Sequence, residues 1–209
     1  MTSWPPAGPP PDGDGSEVVE PLGAGDYLSG RLLVASPRLA DPSFTRTVVY
    51  VLDHGAVGAL GLVLNRPTGV AVEEILAPWH ELAAKSPPPV IFSGGPVGPG
   101  AVVGLVSGVS VDKPVGWHQM IGDVGTADLS VSPSEQPCAF GGARLFSGYA
   151  GWSADQLEEE MRQGAWFCVE AAQTDLLTEN PDGLWHDVLR RQGGELGILA
   201  AYPPHPSAN

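Results

Sequence analysis

The amino-acid pattern predicts an α+β fold: a single domain in which a mostly antiparallel or mixed β-sheet packs with a few helices. Three observations carry this expectation. Short runs of aliphatic and β-branched residues recur along the chain, bounded by Gly, Pro, Asn and Ser. Two later stretches place apolar residues at helical spacing between capping residues. The strands come in neighbouring pairs, with helices between and after them, rather than in the alternation of a βαβ repeat.

The elements follow in chain order. "RLLVAS" (31–36) and "TVVYVLD" (47–53) are short, aliphatic and β-branched, as strands are. "GALGLVLN" (58–65) comes after the glycine-containing turn "HGAVG", which predicts a hairpin. "VAVEEILAPWHELAAK" (70–85) sets Val72, Ile75, Leu76, Trp79 and Leu82 near helical spacing, and Pro78, with no backbone donor, breaks or kinks that helix. "PVIFSG" (89–94) and "AVVGLVS" (101–107) read as strands joined by a tight "GGPVGPG" turn. Residues 108–124 read as a long loop, and "TADLSVS" (126–132) and "ARLFSGYAG" (143–151) as strands. "SADQLEEEMRQG" (153–164) is a helix capped by Ser153, with Gln156 completing a capping box and Gly164 closing it. "AWFCVEAA" (165–172) is a further strand. "NPDGLWHDVLRRQGG" (180–194) is a helix with Asn180 as cap and Pro181 in the first turn. Leu184, Trp185, Val188 and Leu189 form its buried stripe, and Gly193 stops it.

Composition sets the outer limits. The chain has 209 residues, 43% of them hydrophobic, enough for one domain with a substantial core. Residues 1–25 are rich in Pro, Gly and acids and are expected to be disordered, residues 26–200 to form the domain, and residues 201–209 to be a flexible tail. The start of the chain has no basic and apolar leader pattern, and no apolar run approaches the ~18 residues of a membrane helix, so a soluble cytoplasmic protein is expected. Lys and Arg number 10 against 24 Asp and Glu, for a net charge of -14. Duplex DNA and anionic membranes draw their affinity from basic side chains, so both are disfavoured as partners. Cys138 and Cys168 belong to no paired metal or redox motif; a disulfide is possible, and two buried free thiols are the favoured reading.

Three blocks resemble the YqgE/AlgH family: "LLVASPRLADPSFTRTVVYVLDHGAVGALGLVLNRPT", then "VIFSGGPV", then "GYAGWSADQLEEEMRQGAWF" with "LWHDVLRRQGG". They occur in family order and span residues 27–194, nearly all of the expected domain. The resemblance implies a small bacterial α+β protein of uncharacterised biochemistry. One branch carries a putative-transcriptional-regulator label, and no catalytic residue carries over. The Pro/Gly-rich extension departs from the compact start of the family.

Candidate chemistry centres on the hairpin. Arg31, Arg38, Arg46 and Arg66 lie within residues 30–70 against only Asp41 and Asp53, a local cationic excess of the kind a small anionic ligand needs. The structural alternative pairs Arg46 with Asp41 or Asp53 and lets Arg66 cap the hairpin. Antiparallel pairing brings Arg46, Asn65 and Arg66 to the end opposite the turn. His54 then lies roughly 25 Å away at ~3.3 Å per residue, an outlying member of the candidate group. Its plain reading is a turn histidine bonded to backbone. Asn65 has a donor and an acceptor with which to brace a loop that Pro67 cannot serve. "SGGPVGPG" lacks the phosphate-loop spacing and reads as a turn. Ser147 lacks a nucleophile elbow, and Trp152 and Trp166 read as core aromatics. The sequence thus predicts no catalytic residue, no metal site and no cofactor. It favours a non-catalytic binding or regulatory module over an enzyme or sensor for a small anionic metabolite, with transcriptional regulation resting on the family label alone. The partner is a small anion or a basic protein meeting the acidic run Glu158–Glu160.

Overall fold

The computed structural model describes residues 28–108 and 112–201. The disorder expected for residues 1–25, and the tail expected for 201–209 apart from Ala201, fall outside the described residues. The strands are β1 (Arg31–Ala35), β2 (Val48–Gly55), β3 (Gly58–Val63), β4 (Pro67–Ala71), β5 (Val90–Ser93), β6 (Val97–Ser107), β7 (His118–Ile121), β8 (Val124–Thr126), β9 (Gly142–Ser153) and β10 (Trp166–Glu170). The helices are α1 (Val72–Leu76), α2 (His80–Ala83), α3 (Gln156–Arg162), α4 (Gln173–Leu176), α5 (Leu184–Gln192) and α6 (Gly194–Leu199). The fold is the expected α+β single domain. Its sheet runs β10-β1-β2-β3-β9-β6-β8-β7 with antiparallel neighbours, and β5 joins β9 in parallel, carrying β4 on its other side.

The central strands are apolar on both faces because both faces are covered. Leu32, Val34, Tyr50, Leu62 and Phe146 pack under Trp185, Val188 and Leu189 of α5. Leu33, Val49, Val51 and Val63 meet Leu157 of α3 with Trp152 and Trp166. A third cluster sets Val72, Trp79, Leu82 and Ala83 of the α1–α2 segment against Val106, Ala143 and Leu145. Each fully buried aliphatic side chain contributes about 1.5–3 kcal/mol relative to exposure, so these three clusters dominate the stability. Strand β9 serves all three by changing its inward set partway. Ala143 and Leu145 face one way, and Ala150 and Trp152 later take up the same role. Between them Gly148 adopts φ 72, and a side chain there would press on the carbonyls of Gly95 and Val97.

The predicted hairpin forms, with β2 and β3 closing at Gly55 and Gly58 around a two-residue turn, Ala56–Val57. Pro78 does break the predicted helix, leaving a 3₁₀ turn over Ala77–Trp79 between α1 and α2. Other expectations are corrected. The stretch read as a loop holds β7 and the first residue of β8, and His118 lies opposite Thr126 just beyond it. The strand expected over 126–132 ends at Thr126. Beyond it Asp128 accepts the Ser130 N–H at 2.9 Å, an Asx turn that competes with strand pairing. The expected "GGPVGPG" turn is partly strand, because β6 starts at Val97. Val97 opposes Tyr149 and Val102 opposes Ser147, so the extra residues form a bulge. Helix α3 starts at Gln156, after Asp155 at φ 62. Ser153 is its outlying brace, its N–H and hydroxyl both donating to Gln156 Oε1. Helix α5 starts at Leu184, and the Asn180 side chain caps the preceding turn through the Gly183 N–H. Strand β4 and helices α4 and α6 lie outside the sequence expectations. β4 opens on a proline, and both helices have six residues or fewer, too short to show a period.

Candidate functional site

Strand β3 ends at Val63, yet its chain stays beside β2 for two more residues. The Leu64 N–H donates to the Val48 carbonyl at 2.9 Å. At Asn65 the side chain then replaces the backbone ladder. Its Oδ1 accepts the Val48 N–H at 2.9 Å and its Nδ2 donates to the Arg46 carbonyl at 2.9 Å. The amide offers an acceptor and a donor on one side chain, and Asn65 makes both bonds while buried. Arg46, at φ 55, turns the chain into β2. The loop before it is self-braced by Asp41, whose carbonyl accepts the N–H of Phe44 and of Thr45 and whose Oδ1 accepts the Ser43 N–H at 2.7 Å.

Arg66 extends this bracing across the loop by donating from Nη2 to the Thr45 carbonyl. It is half-buried and makes no ion pair among the described residues. Burial lowers its pKa, and the charge of Asp182 works in the opposite direction. Arg66 lines a cleft of about 220 Å³ together with Pro42, Ser43, Val63, Ser93, Gly95 and Pro96. The strand β5 side is tied down by the Ser93 N–H donating to the Arg66 carbonyl at 2.8 Å. The cleft is below the ~300–1,000 Å³ of drug-sized sites, too small to bury a nucleotide cofactor.

The four residues singled out in the sequence therefore have different positions. Arg66 lines the cleft. Asn65 lies behind it and fixes the two chains that form its wall. Arg46 shares its carbonyl with Asn65, but its guanidinium lies 4.6 Å over the Trp185 ring and 3.4 Å from His186 Nε2. His54 sits near the far end of the hairpin, opposite Ala59. Its Nδ1 accepts the Leu28 N–H at 3.1 Å and its Nε2 lies 2.8 Å from Glu158. The acidic run is bonded within the molecule too. Glu159 binds Arg162 and Gln163, and Glu160 Oε2 accepts both the Trp152 and Trp166 indole N–H groups at 2.9 and 2.8 Å.

Sequence reasoning missed Ser43, Ser93 and Gly95 as cleft residues. The signal available is the glycine pair Gly94–Gly95 after β5, although its surroundings lack phosphate-loop spacing. It also missed Arg144, a lone charge inside the apolar strand segment "GARLF". Cys138 and Cys168 are free and partly buried, and burial pushes the Cys168 thiol up to about 11. Among the described residues no group of three or more His, Cys, Asp or Glu side chains is placed to hold a metal, and no helix is long and apolar enough to cross a membrane.

A family model described as AlgH-like matches residues 32–197. A UPF0301 protein of Streptomyces avermitilis is 48% identical over 186 residues, covering 87% of this chain and 95% of the relative. One from Streptomyces coelicolor is 47% identical over the same shares. In three dimensions the chain resembles a crystal structure of a protein from Corynebacterium diphtheriae, with TM-score 0.75 and 28% identity over 87% of this chain and 95% of that one. It also resembles the solution structure of the AlgH protein from Pseudomonas aeruginosa, with TM-score 0.59 and 29% identity over 89% and 100%.

Proposed function

This chain belongs to the AlgH-like family, and from that premise we propose that it is a non-catalytic binding module holding a small anion in the cleft beside Arg66. One observation carries the reading: Arg66, half-buried and without a direct ion pair among the described residues although the charge of Asp182 acts on it, lines a cleft with two serines and a glycine. A guanidinium offers forked donors, and serine hydroxyls and a glycine-lined approach suit an oxyanion. Catalysis finds less support, because the lining has no carboxylate, imidazole, thiol or amine to move a proton or attack a substrate. Duplex DNA fits poorly as the ligand, since a chain of net charge -14 is repelled by phosphate at long range.

A thermal-shift series with phosphate, sulfate and citrate at fixed ionic strength tests this. A ligand at about 100 times its Kd stabilises by about 2.7 kcal/mol. That raises the Tm of a chain of this size by roughly 5–10 °C. Arg66→Ala is expected to abolish the shift, and Arg162→Ala, a change at an exposed pair on α3, to leave it intact. A panel in which no anion moves the Tm, or in which Arg66→Ala responds like the parent, overturns the reading.

A further inference from the structure

His54 joins three parts of the molecule through one buried residue. It lies near the end of β2 and is 8% exposed. Its Nδ1 is 3.1 Å from the Leu28 backbone nitrogen, and a backbone N–H can only donate, so Nδ1 carries no proton. The ring proton is therefore on Nε2, which donates to Glu158 of α3 at 2.8 Å. The His54 backbone N–H donates to Ser29 Oγ at 2.9 Å. Leu28 is 3% exposed and belongs to the apolar cluster of Leu33, Val49, Trp152 and Leu157. Its carbonyl accepts the Arg31 N–H at 3.0 Å, and the Gly30 N–H donates to the Val51 carbonyl at 2.8 Å, which leads the chain into β1. Residues 1–27 join the domain through this short segment.

We propose that His54 is an acid-sensitive latch: a proton on Nδ1 ends the bond from Leu28 and releases residues 28–30 from the end of β2. A cationic imidazole has two N–H donors and no acceptor. The Leu28 N–H would then face a second N–H, and in its buried position it has no water to replace the lost partner. Glu158 opposes release, because a carboxylate favours the cation. Its side chain is 44% exposed, so that pairing is weak beside the cost of an orphaned buried N–H. The other charged groups on the surrounding elements are solvated or engaged. On α3, Glu159 binds Arg162 and Gln163, Glu160 holds the two indoles, and Asp155 is exposed. In β2, Asp53 is exposed; in β1, Arg31 pairs with Glu170. Strand β3 places Ala59 opposite His54. The open segment takes up a proton that the closed one excludes, so opening is favoured as pH falls. The latch is independent of the Arg66 cleft in residues and in position along the hairpin.

The test is NMR on the full 15N-labelled chain at about pH 7.5 and about pH 5.5. Long-range 1H–15N spectra read the His54 tautomer. Amide hydrogen exchange, corrected for its intrinsic pH dependence, reads the latch at Leu28. An unprotonated Nδ1 is expected at the higher pH. An open histidine titrates near about 6.5, so the protection of the Leu28 amide is expected to be about tenfold lower at the lower pH. The Leu64 amide, bonded to the Val48 carbonyl, is expected to keep its protection. In His54→Asn the side-chain oxygen can accept where Nδ1 does but takes up no proton in this range, so Leu28 protection is expected to be level across the two conditions. A proton on Nδ1 at the higher pH, or equal Leu28 protection at both, overturns the proposal. So does a fall shared by Leu64, which reports general loss of the fold, or a His54→Asn chain whose Leu28 protection falls as the parent's does.

Discussion

Replacing Asn65 with alanine tests the brace on which the Arg66 cleft is built. The substitution deletes two bonds to backbone, the one accepted from the Val48 N–H and the one donated to the Arg46 carbonyl. Val48 is fully buried, so its N–H has no water to turn to, whereas Arg46 is half-buried and its carbonyl can recover part of its hydration. An orphaned buried backbone group costs about 1–3 kcal/mol, and the two together give a loss of about 2–4 kcal/mol. Urea denaturation followed by circular dichroism measures it as a lower midpoint at unchanged slope. The Tm falls with it by roughly 5–15 °C. Asn65→Asp separates the two bonds. A carboxylate still accepts from Val48, but it faces the Arg46 carbonyl without a donor, so part of the loss persists. An Asn65→Ala loss below about 0.5 kcal/mol would show that the β2 and β3 ends hold without the amide, and the account of why this strand ends on a polar pair would fail.

Two further outcomes follow from buried polar groups elsewhere. Glu160→Ala leaves the Trp152 and Trp166 indole N–H groups without their shared acceptor, in a site where the rings are 6% and 3% exposed. A loss of about 3 kcal/mol with a changed near-UV spectrum is expected, and Glu160→Gln, which keeps an acceptor, is expected to recover most of it. At alkaline pH, burial has pushed Tyr50 up to about 12 from 10.0, a raised folded-state pKa. Its contribution is fully present below about pH 10 and is lost as pH rises through about 12, by about 3 kcal/mol. Cys168, pushed up to about 11 from 9.0, adds a loss that begins earlier. Arg144, lowered to about 10 from 12.5, acts in the opposite sense, so stability–pH curves of Tyr50→Phe and Cys168→Ala are needed to isolate the falling part. A Tyr50→Phe curve as steep as the parent's above pH 10 contradicts the assignment.

The fold was legible where local pattern and tertiary context agree. β1, β2, β3 and β10 are short apolar runs bounded by breakers, and α5 carries its buried stripe at the spacing the sequence shows. It was illegible where pairing, not propensity, makes the element. β4 opens on Pro67 and exists because Pro67 and Ala71 lie opposite Phe92 and Val90 of β5. The β7–β8 pair is four residues against three, and it attaches to the sheet through Leu105 and Val106 of β6, a long-range contact without local signature. The candidate site divides in the same way. Hairpin pairing alone brings Arg46, Asn65 and Arg66 to one end. The side of the chain on which each guanidinium lies depends on Trp185, which is 139 positions from Arg46 in sequence and which draws that arginine away from the cleft.

The acidity of the chain gives its unpaired arginines their meaning. With 24 acids against 10 basic residues, a carboxylate partner is the easiest counter-charge for this sequence to supply. It does supply one to Arg31, Arg162, Arg190 and Arg191, all of them on partly exposed side chains. Exposed pairs contribute little, so Arg31, Arg162 and Arg190 would tolerate being left alone, whereas Arg191 holds the buried Asp175 through two bonds. Arg66 and Arg144, the more buried pair, would benefit most from a carboxylate, since desolvation raises the cost of a bare charge. Yet both hydrogen-bond to backbone carbonyls rather than to a carboxylate, and the charge of Asp182 acts on Arg66 without a direct ion pair. Arg66 also lines a cleft whose lining has no acidic residue. A purely structural role would be served as well by a neighbouring Asp or Glu. A site that must accept an anion from solution requires that such a residue be absent, because a fixed carboxylate would compete for the same donors.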